Sequence, residues 1–183
     1  MEEPRIDEEG RPEPLFSADE RTTLLGFLDY QRATLEWKTR GLTSQQLRQS
    51  HAPSALTLAG LLGHLAWVED FWFGVTVAGR THVEPWRDLD WDADSDAEFT
   101  LANALEADDA RDLWRANVET SRAIVDDQLS EHGDAALGLE HDAWGGREQL
   151  SLRWVLVHMI EEYARHNGHA DLLREAIDGS VGE

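Results

Sequence analysis

Cysteine is absent from this 183-residue chain. No disulfide framework, thiolate nucleophile or thiolate metal ligand can come from the protein itself, so any sulfur chemistry must take its thiol from outside. Lysine is almost absent as well, Lys38 standing alone beside a good supply of arginine. Positive charge is scarce overall: 16 basic residues face 37 acidic ones, for a formal charge of −21. A field of that sign repels phosphate backbones and anionic membranes, which excludes nucleic acid and membrane partners. Solubility through mutual repulsion is a plainer account of the acidity than a basic partner or a salt-rich cell. No segment offers the ~18 uninterrupted apolar residues of a membrane span. The opening MEEPRIDEEGRPEP lacks the basic start and apolar run of a secretory signal, so a cytoplasmic location is expected.

The length suits one domain, since domains run to roughly 100–200 residues. Residues 1–16 mix acids with Pro4, Pro12 and Pro14, a composition expected to form a disordered or poorly packed tail ahead of a single domain over 17–183. Ser17 is a candidate N-cap, with Asp19 and Glu20 in the first turn. Leu24, Phe27, Leu28, Gln31 and Leu35 then recur at helical spacing up to Gly41, predicting a first helix near 18–40. Thr57 is the next cap candidate. After it Leu58, Leu61, Leu62, Leu65, Val68 and Trp72 trace a stripe that predicts a second helix over 57–78.

The polar stretch THVEPWRDLDWDADSD is longer than an ordinary bundle connection. It can carry the chain back along the bundle, so the second and third helices need not be antiparallel. A short helical piece near 96–104 precedes a third helix over 107–130, with Leu113, Asn117, Thr120 and Ile124 on a notably polar face. The glycine-rich 131–149 reads as loop with at most a short extended piece. Ser151 caps a fourth helix whose stripe runs from Leu152 through Tyr163 to Leu173 and stops at Gly179. The class is all-α, a four-helix bundle with a long connection between helices 2 and 3.

Eight histidines are present. His51, His82, His132 and His141 fall in predicted loops, where solvated surface roles are expected. His64 sits at the edge of the apolar stripe of the second helix, and a lone histidine there is more often a satisfied core residue than a ligand. The segment HMIEEYARHNGH alters the odds by setting His158, Glu162, His166 and His169 at spacings of four, four and three on one helical face. Such a column is either an internal hydrogen-bond network or a metal site completed by a residue from a facing helix. Two histidines and a carboxylate are typical of catalytic zinc sites with an open position, and would accept nickel, iron or cobalt too. Spacing alone does not separate Glu162/His166 from His158/Glu162. Glu69 and Asp70 read as a solvated helix flank, ahead of a general base or a carboxylate supporting the ligand histidine. Trp67, Trp72 and Tyr163 read as core or groove filler.

The segments GLLGHLAWVEDFWF and SLRWVLVHMIEEYARHNGHADLLREAIDG together resemble the DinB-like superfamily of four-helix metalloenzymes. The likeness is greatest to an actinobacterial branch of unknown function related to mycothiol-dependent maleylpyruvate isomerases. It implies one metal ligand on the second helix and two, four residues apart, on the fourth, in the Glu-x-x-x-His form. It therefore nominates His64, Glu162 and His166, with His158 and His169 as neighbours of the site. The resemblance implies a divalent ion, zinc first and nickel or iron as alternatives. It also implies a low-molecular-weight thiol such as mycothiol, activated for transfer to an electrophilic small molecule. Water in place of the thiol would make the protein a hydrolase. A helical interaction protein without catalysis, with or without metal and homodimeric, is the alternative from another class.

Overall fold

A computed structural model of the chain describes residues 4–182. Its elements follow in the order α1 (Glu20–Thr39), the single turn α2 (Ser44–Leu47), α3 (Leu58–Glu69), α4 (Ala97–Ala104), α5 (Ala107–His132), strands β1 (Glu140–Ala143) and β2 (Glu148–Ser151), and α6 (Leu152–Asp178). The helix begun by α3 continues without a break as a π-helix over Asp70–Val77. With that extension, α1, α3, α5 and α6 are the four long helices expected.

Local chemistry accounts for the boundaries. Thr57 and Ser151 accept hydrogen bonds from the amides of Gly60 and Trp154, satisfying donors that a helix start leaves free. Asp19, not Ser17, caps α1, accepting from the Thr22 amide at 2.7 Å, so that helix starts at Glu20. No side chain of its own cap position serves α5; the Ser44 hydroxyl accepts from the Ala107 amide instead. Gly179 ends α6 with φ +79°, a conformation that costs glycine nothing. The loop expected over 131–149 contains an antiparallel hairpin in which Glu140 pairs with Ser151 and Ala143 with Glu148.

Side-chain contacts set the helix directions. Arg153 meets Glu20, Asn167 meets Gln31, and Arg174 reaches the carbonyls of Lys38 and Arg40, so α1 and α6 run parallel. Arg111 meets the Thr39 carbonyl, Arg115 meets Glu36 and Arg122 meets Asp29, so α5 runs against α1. His64 lies against Glu162, and Trp72 further along against His158, so α3 runs against α6. The second and third long helices are therefore parallel, and the long connection carries the chain back between them. Trp86 fastens that connection: it is buried, and its indole N–H donates to Asn117 Oδ1 at 3.3 Å. This explains the polar face of α5, which buries Asn117 and Ser121 beside Trp114, Val118 and Ile124 and leaves Thr120 exposed.

The N-terminal segment departs from expectation. Arg11 is only 2% exposed and lies over the rings of Tyr30 and Trp37 on α1, with its Nε 2.7 Å from Asp7. Residues Ile6 and Pro12 form a bridge. Over residues 4–16 the expected poorly packed tail is thus a strap, held by the Arg11 guanidinium, which stacks on aromatic faces while its charge is paired, and by Arg40, which donates to the Glu9 carbonyl at 3.0 Å. Residues 1–3 of that expectation lie outside the described residues.

Glu69 and Asp70 are buried, not a solvated flank. Arg32 of α1 donates two hydrogen bonds to Glu69, at 2.8 and 2.7 Å. Buried charges persist only when paired in this way.

Candidate metal centre

The site is built from the close approach of α4 to α3. A Cβ on Gly63 would lie 2.5 Å from the Glu98 carbonyl oxygen, and one on Gly60 would lie 2.6 Å from the Phe99 ring. Glycine at these two places lets the short helix lie directly on the long one. The approach brings Glu98 to Nδ1 of His64 at 3.1 Å and layers Phe99 on the His64 ring at 5.1 Å.

On the other side of the His64 ring, Nε2 lies 3.1 Å from Oε1 of Glu162. The same oxygen is 3.2 Å from Nε2 of His166, one turn further along α6. One ligand atom from each of His64, Glu162 and His166 can be chosen so that all lie within 4.8 Å of one another. The three side chains are 12–16% exposed, sheltered yet not sealed. The structure thus brings together the three residues the family resemblance nominates.

Electrostatics bind the cluster. Hydrogen bonds from His166 and His64 hold the Glu162 carboxyl far below the ordinary carboxylate range, against the opposing effect of burial. Burial disfavours the His64 imidazolium, but its bonds to Glu162 and Glu98 outweigh that and raise its pKa. Two imidazole Nε2 atoms sharing one carboxylate oxygen is an arrangement in which a cation can replace protons. The donor set, two imidazoles and a carboxylate, suits a divalent ion with a further position open. Glu98 strengthens the fit: a carboxylate on Nδ1 keeps the proton there and leaves Nε2 to face the ligand cluster. Its second oxygen, Oε2, is buried with no hydrogen-bond partner among the described residues.

The neighbours divide. His169 joins the cluster, its Nδ1 3.4 Å from Nδ1 of His166, and burial followed by the charges of His166 and Arg165 lowers its pKa. His158 does not join. It packs between Trp72 and Trp154, with ring centroids at 4.8 and 5.0 Å. His51 and His132 are exposed as expected. His82 and His141 are not free in solvent: His82 pairs with Asp70, and burial lowers the pKa of His141. Glu98 escaped sequence reasoning because nothing in a single sequence links it to a histidine 34 positions away; the glycine pair in GLLGH was the one trace of it. A cavity of about 710 Å³ lies between the N-terminal strap, α1 and α5, and touches none of the three residues. The donor geometry, not the cavity, marks the site.

The sequence matches the family model described as mycothiol-S-transferase over residues 23–179. The chain belongs to the mycothiol S-transferase family. The match runs from the first turn of α1 to the glycine that ends α6, and so includes His64, Glu98, Glu162 and His166 of this mycothiol S-transferase family member. No curated protein matches the chain. Among the described residues, no helix is long and apolar enough to cross a membrane.

Proposed function

We propose that this protein transfers the sulfur of a small thiol, mycothiol in first place, to an electrophilic small molecule, using a divalent ion held by His64, Glu162 and His166. Zinc is the first choice of ion, with nickel or iron as alternatives. The observation that carries the reading is the convergence of both imidazole Nε2 atoms on the Glu162 carboxylate, with Glu98 behind His64, in a chain of this family.

A bound ion supplies a Lewis acid that lowers the pKa of a thiol, so that sulfur is nucleophilic near neutral pH. The protein's residues prepare the place for it. Glu98 holds the tautomer and plane of His64, and Phe99 covers one face of that ring. The absence of cysteine fits a thiol delivered by a cofactor.

The test is metal analysis of tag-free protein together with conjugation of mycothiol to a fluorogenic alkyl halide. One equivalent of metal and thiol-dependent turnover are expected. His166→Ala should lose both while keeping its far-ultraviolet circular dichroism. Full metal retention in that variant would sink the ligand set, and equal turnover without thiol would favour hydrolysis.

A further inference from the structure

A second histidine–carboxylate pair stands apart from the metal centre. Asp70 opens the π-helix, its side chain is 5% exposed, and its Oδ2 lies 2.6 Å from Nδ1 of His82. Gly74, later in the same π-helix, leaves the carboxylate its room, since a Cβ there would lie 2.9 Å from Asp70 Oδ1. Irregular π segments of this sort occur frequently at functional sites. His82 itself belongs to the long connection after Gly79, and its ring is layered on Trp67 at 6.5 Å and on Phe71 at 6.1 Å. Trp67 is in turn 6.2 Å from the ring of His64. One aromatic wall therefore carries His64 at one end and His82 at the other. Trp67 Nε1 is buried on that wall with no partner among the described residues.

The chemistry of the pair is directional. A buried carboxylate accepts the Nδ1–H of a histidine, which leaves the lone pair of a neutral ring on Nε2. The His82 side chain is 30% exposed, and its Nε2 makes no hydrogen bond among the described residues. The pair thus offers an oriented base at the far end of the aromatic wall from His64. Shielding a buried Asp70 is the other service His82 could render, and the two make different predictions.

Resting on the thiol transfer proposed above, we propose that His82, held by Asp70, is the acid–base residue of that reaction. Its Nε2 takes the S–H proton, relayed along the wall by water, as a sulfur lone pair forms the bond to the electrophilic carbon. The electrons of the breaking bond leave with the departing group, and His82 then returns the proton to that group. Thiol and electrophile become thioether and protonated leaving group, with no oxidant or reductant required.

Turnover and metal content of the metal-loaded full chain test this with His82→Gln and His82→Ala. Both should keep one equivalent of metal, with kcat lowered about 100-fold or more, as expected on removing a general base. Added imidazole should restore part of the loss in His82→Ala. Wild-type kcat in His82→Gln, or metal lost in step with turnover, overturns the assignment. Nitrogen-15 NMR of the metal-free wild type supplies a readout without turnover: a neutral His82 protonated at Nδ1 is expected, and a proton on Nε2 overturns it. A wild type without metal or thiol-dependent turnover would instead count against the proposed function, and the tautomer would still decide the pair.

Discussion

The Tyr163 hydroxyl donates to Oε1 of Glu69 at 2.7 Å, one residue beyond Glu162 on α6. Its oxygen also accepts the indole N–H of Trp114 at 2.9 Å, while Arg32 holds both oxygens of Glu69. Arg32, Glu69, Trp114 and Tyr163 come from α1, α3, α5 and α6 in turn. All four long helices are thus joined by one buried polar network beside the candidate ligands. Such a network is costly when incomplete and specifying when satisfied, and here it fixes how α6 is rotated toward α3. That rotation aims Glu162 at His64.

Tyr163→Phe leaves Glu69 paired with Arg32 and removes one bond to a charged acceptor. Stability should fall by about 1–3 kcal/mol, read as a lower midpoint in urea. Glu69→Ala strands the Arg32 guanidinium in the interior. It should cost more, on the order of 3–5 kcal/mol, if it folds at all.

Burial, and then the charge of Glu69, push the Tyr163 hydroxyl well above its ordinary pKa. Below about pH 10 both folded and unfolded chains keep the proton, and stability is unaffected. Above it only the unfolded chain ionises, so stability falls as pH rises toward the folded-state value. Absorbance at the phenolate band should show Tyr163 ionising only when helicity is lost. A Tyr163 signal titrating near pH 10 in the folded protein would contradict the burial account.

Glu98→Gln keeps the shape and removes the charge behind His64. Metal affinity should fall about 10- to 100-fold, the usual effect of losing such an outer partner. Competition with a chromophoric chelator measures it, and unchanged affinity would show that Glu98 does not support the ligand.

Gly63→Ala forces a methyl group against the Glu98 carbonyl oxygen and the Ala102 side chain. The short helix must move outward, at a cost of about 1–3 kcal/mol by the usual scale of overpacking. Metal affinity should fall with it, because Glu98 rides on that helix. Thermal unfolding with and without added zinc separates the two effects.

Sequence by itself determined the elements. Thr57, Ser151 and Gly179 act within one turn of their own positions, and apolar stripes every three or four residues betray a helix whatever it packs against. The spacing of Glu162 and His166 belongs to the same short range, which is why half of the candidate site was readable on one helix. Separating that pair from His158 needed the family resemblance.

Tertiary structure alone decided the rest. Glu69 and Asp70 look like any solvated acidic flank until Arg32 and His82 arrive from distant segments, because burial is a property of the partner surface. Arg11 turns an acidic, proline-rich stretch into a strap for the same reason, by finding two aromatic faces on α1. Glu98 reaches His64 only because two glycines let one helix settle on another, a contact that no local periodicity encodes. The candidate metal site is therefore half a matter of helical geometry, settled within α6, and half a matter of which side chains the folded bundle brings to meet it.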